Sequence, residues 1–367
     1  PVSLGGDGTQ QQREGALAMG LLAVWTPLWC DAAREVMNGL GLTGRIAPLI
    51  ALCNSLCEAP GAPSSELVLA IAIGVKQRLC LGDYAGCAPA MDWLRAHAPS
   101  IVEADPGVAA AVSLTESWWR FCMGEPASPE RERASMLAYE AVGDQRNGCR
   151  CMLNVGYAHL ELGMFELAQA DLRDALVLAD SMGRQNLGMT LAYLGEPERA
   201  VALIEECRTM ARAQGNPRLE GSSHLYLARL ALMSGDAAAC EEHALAAARL
   251  LIQLPPIRSD ALAFVAEARL VAGRIAEALP PARESMRLLE ELGSIEEGES
   301  HVRVVHAEVL LASGDREGAC RAIASAEARL RSRASFVEDP ERRASYLERV
   351  PDNARTLSLA RRLERDP

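Results

Sequence analysis

The amino-acid sequence predicts an all-α protein, an α-α superhelix of about seven helical hairpins, and two observations carry that expectation. Hydrophobic residues make up 49% of the chain but aromatics only 4%, so the apolar surface comes mainly from Ala, Leu and Val. Such small side chains suit close helix crossings and fill the face of a β-sheet poorly. The second observation is an internal repeat. Gly82, Gly124, Gly163, Gly195, Gly235, Gly273 and Gly314 are separated by 42, 39, 32, 40, 38 and 41 residues, each between two amphipathic segments. A length of 367 residues admits two ordinary domains or one elongated array, and a charged fraction of 23% excludes disorder by composition.

Three segments follow along the chain. Residues 1–64 fit the repeat poorly: Pro27, Pro48, Pro60 and Pro63 divide them into short helices, as in an irregular N-terminal cap or a truncated repeat. Residues 65–330 carry the hairpins. The clearest runs from Leu153 through Gly163-Met-Phe-Glu-Leu-Ala168 to Ala175, and the frame returns at Gly195-Glu-Pro-Glu-Arg-Ala200, Gly235 to Cys240, Gly273 to Ala278 and Gly314 to Ala319. Upstream, Gly82-Asp-Tyr-Ala-Gly-Cys87 matches well, and Gly124-Glu-Pro matches in its turn. Residues 331–367 form Arg-rich C-terminal capping helices. The 32-residue spacing between Gly163 and Gly195 marks a shortened repeat, with a truncated helix at 182–195 or a lost segment.

Each feature of the frame has a physical cause. The glycine ends the first helix in a left-handed conformation that satisfies its last carbonyls without a Cβ penalty. An acidic residue after it favours the N-terminus of the second helix. The small residue five positions beyond the glycine lets the two helices approach closely. One hairpin cannot bury its own apolar stripe, so successive pairs stack and share a core.

Gly-Asp-Tyr-Ala, Gly-Met-Phe-Glu-Leu-Ala and Gly-Glu-Pro-Glu-Arg-Ala make residues 65–330 resemble tetratricopeptide repeats, with a period a few residues longer than usual. Longer periods are similar to those of bacterial signalling ATPases, including regulators of the maltose-activator type. Three stretches (Asn186 to Gly195, Leu288 to Glu299, and Arg343 to Ala360) resemble the helical-repeat C-terminus of large bacterial multidomain Ser/Thr kinase/ATPase signalling proteins. That resemblance implies a regulatory region whose kinase and ATPase modules lie upstream and touch it intramolecularly.

Composition narrows the chemistry. Lys76 is the only lysine, and no Gly-x-x-x-x-Gly-Lys loop occurs, so an intact P-loop is excluded. The net charge of −12 disfavours nucleic acid as a partner. It divides into −15 over residues 1–328 and +3 over 329–367, where ten arginines meet seven acids in what reads as a solvated helix end laced with ion pairs. No apolar stretch is long enough for a membrane span. A start at Pro1 without a basic leader gives no signal peptide and suggests a piece of a longer polypeptide. Eleven scattered cysteines without a Cys-x-x-Cys pair read as reduced thiols that pack as small hydrophobes in a cytoplasmic protein. Gly5-Gly-Asp-Gly-Thr9 matches a glycine-rich phosphate signature, but no α/β pattern surrounds it, and a flexible leader accounts for it. The Glu-Glu pairs at 205–206, 241–242, 290–291 and 296–297 read as solvated helix faces, and His301 and His306 fall on different faces of a helix. The expectation is no enzyme, no metal and no cofactor.

What remains is the concave groove. The residue after each first helix's small packing position points into it, which selects Lys76, Trp118, Tyr157, Met189, Arg229, Glu267 and Glu308. That mixture of aromatics, opposite charges and one Met suits a protein or peptide partner. The alternatives are a small-molecule inducer sensor within a signalling ATPase or transcription regulator, and a fragment of a kinase whose catalytic domain lies outside this chain.

Overall fold

The computed structural model describes residues 8–176 and 181–365. Among these the chain is all-α: twenty α-helices, one 3-10 turn at Ala85–Cys87 and no strand. It divides into two compact units, Pro1–Cys122 with Ser128–Met152, and Met123–Ala127 with Leu153–Pro367.

The first unit contains α1 (Gly8–Leu21), α2 (Pro27–Leu42), α3 (Ile46–Cys57), α4 (Ser65–Cys80), α5 (Ala88–His97), α6 (Pro99–Val102), α7 (Pro106–Cys122), α8 (Pro129–Ala141) and the first half of α9 (Gln145–Glu161). Of the N-terminal prolines, two stand in the first turns of helices and two between helices. Pro27 is the first residue of α2 behind the Thr26 cap, and Pro48 lies in the first turn of α3, because a proline's missing N–H costs nothing there. Pro60 and Pro63 occupy the connection to α4, which Ser64 caps by accepting from the Leu67 amide. Met37, Leu49, Leu56, Val68, Ile71 and Leu79 form a fully buried core. Arg78 is buried with them because Asp83 and the Asn54 amide oxygen take its guanidinium. All five tryptophans of the chain, Trp25, Trp29, Trp93, Trp118 and Trp119, belong to this unit.

The second unit contains the rest of α9, then α10 (Phe165–Leu176), α11 (Ser181–Tyr193), α12 (Pro197–Ala213), α13 (Pro217–Met233), α14 (Ala237–Leu250), α15 (Pro255–Val271), α16 (Ile275–Leu292), α17 (Glu299–Ala312), α18 (Arg316–Ala334), α19 (Pro340–Glu348) and α20 (Pro351–Arg365). From α10 to α18 each helix packs against the next. Within this unit α11, α13, α15 and α17 also touch one another in series, forming an inner layer, while α12, α14, α16 and α18 stand behind it. The C-terminal α20 packs on α17 and α18, burying Leu359, Ala360 and Leu363 in their core.

The repeat frame is realised residue by residue. All seven hinge glycines have positive φ, from 73° at Gly163 and Gly273 to 98° at Gly124. At Gly235, for example, the glycine amide donates to Leu232 O and the Asp236 amide to Ala231 O, so two of the helix's last carbonyls are satisfied. The same pair of bonds recurs at Gly82, Gly163, Gly195, Gly273 and Gly314. The small residues five positions on (Cys87, Ala168, Ala200, Cys240, Ala278 and Ala319) are all completely buried. The shortened repeat has a shortened helix: α11 spans 13 residues where α13 and α15 span 17. Residues 177–180 before it, and residues 1–7 with most of the glycine-rich leader, lie outside the described residues; Gly8 and Thr9 begin α1.

Candidate functional site

Residues of the second unit line a half-open cavity of about 100 Å³ against the inner layer. Helical spacing decides which side chains reach it. Tyr157 and Glu161 come from one face of α9, Met189 and Tyr193 from α11, and Tyr226 and Arg229 from α13. His301 comes from α17, Arg333 from α18, Tyr346 from α19 and Asp352 from the first turn of α20. All four tyrosines of this unit therefore meet at one place, in a chain that has six.

One loop completes the lining. α16 ends at Gly293, with φ 78°, and Ile295 plugs completely buried into Ala263, Leu289 and Val302. That anchor swings Glu296 and Glu297 to the cavity, and the chain re-enters α17 through Gly298 at φ 82°. A Cβ on Gly298 would fall 2.4 Å from the Asp260 carboxyl carbon, so glycine is needed both for the dihedral and for the close approach. Glu296 is 6% exposed, and the 296–297 pair is thus part of a cavity wall. This corrects the expectation of a solvated face: residues 296–297 lie in the loop between α16 and α17, where the phase of a helix does not apply.

The charges are organised around Arg229 and His301. Arg229 donates to Asp352 at 2.8 Å, lies 4.0 Å from Asp260 and rests 4.9 Å above the Phe264 ring. Burial opposes ionisation of Asp352, but Arg229 and His301 outweigh it and hold the carboxyl down at about 2. His301 stands between two carboxylates, Nδ1 at 2.5 Å from Asp260 and Nε2 at 2.7 Å from Glu267. Two acceptors require two N–H donors, so the ring is an imidazolium. Burial works against that charge, and the facing carboxylates overcome it, raising His301 to about 9.

Across the cavity Glu161 accepts from Arg333 at 3.0 Å and from the Ala127 amide at 2.7 Å. Glu299 takes Arg303, Arg329 and Arg333, which together overcome its burial and lower its pKa. Glu297 accepts the Tyr226 hydroxyl at 2.9 and 3.0 Å to its two oxygens. Burial, reinforced by Asp260, raises Glu297 to about 7.

The candidate residues fall into three sets. Tyr157, Met189 and Arg229 line the cavity. Glu267 and Glu308 lie farther along the inner layer, where Arg355 of α20 bridges them. Lys76 and Trp118 are on α4 and α7 of the first unit. Desolvation, with help from Arg150, lowers Lys76 to about 7, and the Trp118 Nε1 is buried without a hydrogen-bond partner. Sequence reasoning passed over Tyr193, Tyr226, Glu297, His301 and Asp352. Tyr193 and Tyr226 are four residues after Met189 and three before Arg229, so the helical period applied to the candidates could have found them. Arg333 and Arg355 of the C-terminal segment turn inward to Glu161, Glu267 and Glu308, while Arg349 pairs with Glu166 at the surface, as expected of a solvated end laced with ion pairs.

This architecture is a helical-repeat fold of the tetratricopeptide-like class, all-α and built of consecutive helix pairs. Among solved structures, the chain is similar to a Rap protein complexed with the competence and sporulation factor, with a TM-score of 0.59 and 12% identity over 98% of this chain and 99% of that one. It is also similar to a chain of the APC/C hetero-tetramer Cut9–Hcn1, with a TM-score of 0.55 and 14% identity over 96% and 66%. Aspartyl phosphate phosphatase F from Bacillus subtilis follows, with a TM-score of 0.51 and 11% identity over 94% and 95%. At these identities the likeness is one of fold. No family model and no curated protein matches the sequence. No described helix is long and apolar enough to cross a membrane.

Proposed function

We propose that this chain is a non-catalytic interaction and regulatory module of a bacterial, cytoplasmic signal-transduction protein. It binds a protein or peptide partner along the inner layer of the second unit. The observation that carries the reading is that this layer already holds polypeptide through charge. α20 is fastened to it by Asp352 to Arg229, and by Arg355 to Glu267 and Glu308. A preformed curved layer binds with little ordering entropy, and the solved Rap protein of the same fold class is itself complexed with a factor. Within this reading residues 65–330 are the repeats, 1–64 the N-terminal cap and 331–367 the capping helices. Tyr157, Met189, Arg229, Glu267 and Glu308 contact the partner in the second unit, and Lys76 and Trp118 are the corresponding positions of the first. Any kinase or ATPase modules stand upstream in the parent polypeptide.

Selection from a displayed peptide library tests the proposal. Binders are expected that lose affinity for Tyr157→Ala and Arg229→Glu proteins that remain helical. Turnover of ATP by the purified chain would refute the non-catalytic reading. The half-open cavity also suits a small-molecule inducer. A thermal shift by one compound of a sugar and nucleotide library, with no peptide enriched, selects that second reading.

A further inference from the structure

The acidic groups around the cavity are matched one by one, with a single exception. Glu161 has Arg333, Asp352 has Arg229, Glu299 has three arginines, and Glu296 has Arg218 at 3.4 Å. Glu297 has the Tyr226 hydroxyl, and among the described residues no arginine, lysine or histidine lies within ion-pair distance of it. A carboxylate taken out of water without a counter-charge is costly. Nothing in the hairpin fold requires an acid on this loop, since Ile295 provides the anchor.

The second observation is the aromatic lining of the cavity. Tyr157, Tyr193 and Tyr226 face the same space, in a chain of only 4% aromatics. Aromatic faces attract cations, and guanidinium most of all. The protein makes that contact with its own arginines beside the cavity: Arg349 lies 5.1 Å over Phe165, which stacks on Tyr193 at 4.8 Å. The cavity volume is several times what one water needs, enough for a small head group.

We infer that this cavity receives a cationic head group, a guanidinium or primary ammonium, paired to Glu297 and held against Tyr157, Tyr193 and Tyr226. The inference rests on the reading of the inner layer as the binding face and names the chemistry of its deepest position. The cation comes either from an arginine or lysine side chain of the partner or from a free organic amine.

Calorimetric titration of the whole chain distinguishes these sources and tests the claim. The probes are agmatine, acetyl-Ala-Arg-Ala-amide, and the same tripeptide with citrulline, which keeps the shape of arginine and lacks its charge. Binding of the arginine peptide at least tenfold tighter than of the citrulline peptide is expected if the cation arrives on a polypeptide. Saturable binding of agmatine with a weaker arginine peptide identifies a free amine. In either case Glu297→Gln, which still accepts from Tyr226, lowers the affinity at least tenfold. The agmatine and citrulline measurements need no variant, so together they decide the matter even if Glu297→Gln fails to fold. Equal affinity for the arginine and citrulline peptides without saturable agmatine binding, or no binding of either cation at millimolar concentration, overturns the inference. Library-selected peptides that still bind the inner layer would leave the broader function standing.

Discussion

Deprotonating His301 should loosen the centre of the second unit. The imidazolium is 1% exposed and sits between Asp260 and Glu267 of α15, with Asp352 of α20 adding to the negative field. Its folded pKa of about 9 lies above the ordinary 6.5 of an unfolded histidine, a difference worth about 3 kcal/mol. Because the folded value is raised, the contribution is complete below pH 6.5 and is lost as the pH climbs through 9. The measurement is a side-chain NMR titration of the imidazoles. His301 should remain protonated at pH 8, whereas burial holds His243 and His306 below their ordinary value and drives His224 to about 4. Urea unfolding of the wild type and His301→Gln, followed by far-UV ellipticity, reads the energetic side. The stability gap between them should shrink by about 3 kcal/mol from about pH 6 to about pH 10. Titration of His301 at or below 6.5, or a gap independent of pH, would refute the reasoning.

Other consequences can be measured on the same unit. Arg229→Met should leave Asp352 buried without its partner and cost about 3–5 kcal/mol, read as a lowered urea midpoint. Gly235→Ala meets no neighbouring atom but must hold φ near 82°, so its loss should be limited to about 1–2 kcal/mol. Ala200→Leu forces a larger side chain into a position with no exposure and should cost about 1–3 kcal/mol, seen in thermal unfolding. Gly298→Ala adds a contact with Asp260 to the dihedral strain and should exceed Gly235→Ala in cost.

The hairpins were legible because each rests on two short-range requirements. A left-handed turn demands glycine, and a close crossing demands a small residue, so Gly195 with Ala200 or Gly273 with Ala278 announces its own geometry. The inner layer was legible in part for the same reason: Tyr157, Met189 and Arg229 follow from phase along a helix. Glu297 does not, because its position depends on how Ile295 seats a loop. His301 was visible as a helical histidine, but its partners lie 41 and 34 residues away. The inward turn of Arg355 requires knowing that the last helix packs back on α17 and α18, a tertiary fact with no local signal.

The separation of aromatic types between the two units gives the protein a built-in pair of optical reporters. Every indole lies in the first unit, and four of the six phenols line the cavity of the second. Red-edge excitation therefore follows the first unit alone. Ultraviolet difference absorbance in the phenol band follows the cavity, against a background of Tyr84, Tyr139 and the five indoles, which the red-edge signal monitors separately. A cation entering beside Glu297 should perturb the phenol band directly, so occupancy of the cavity and the folding of the first unit can be watched in one cuvette without a label.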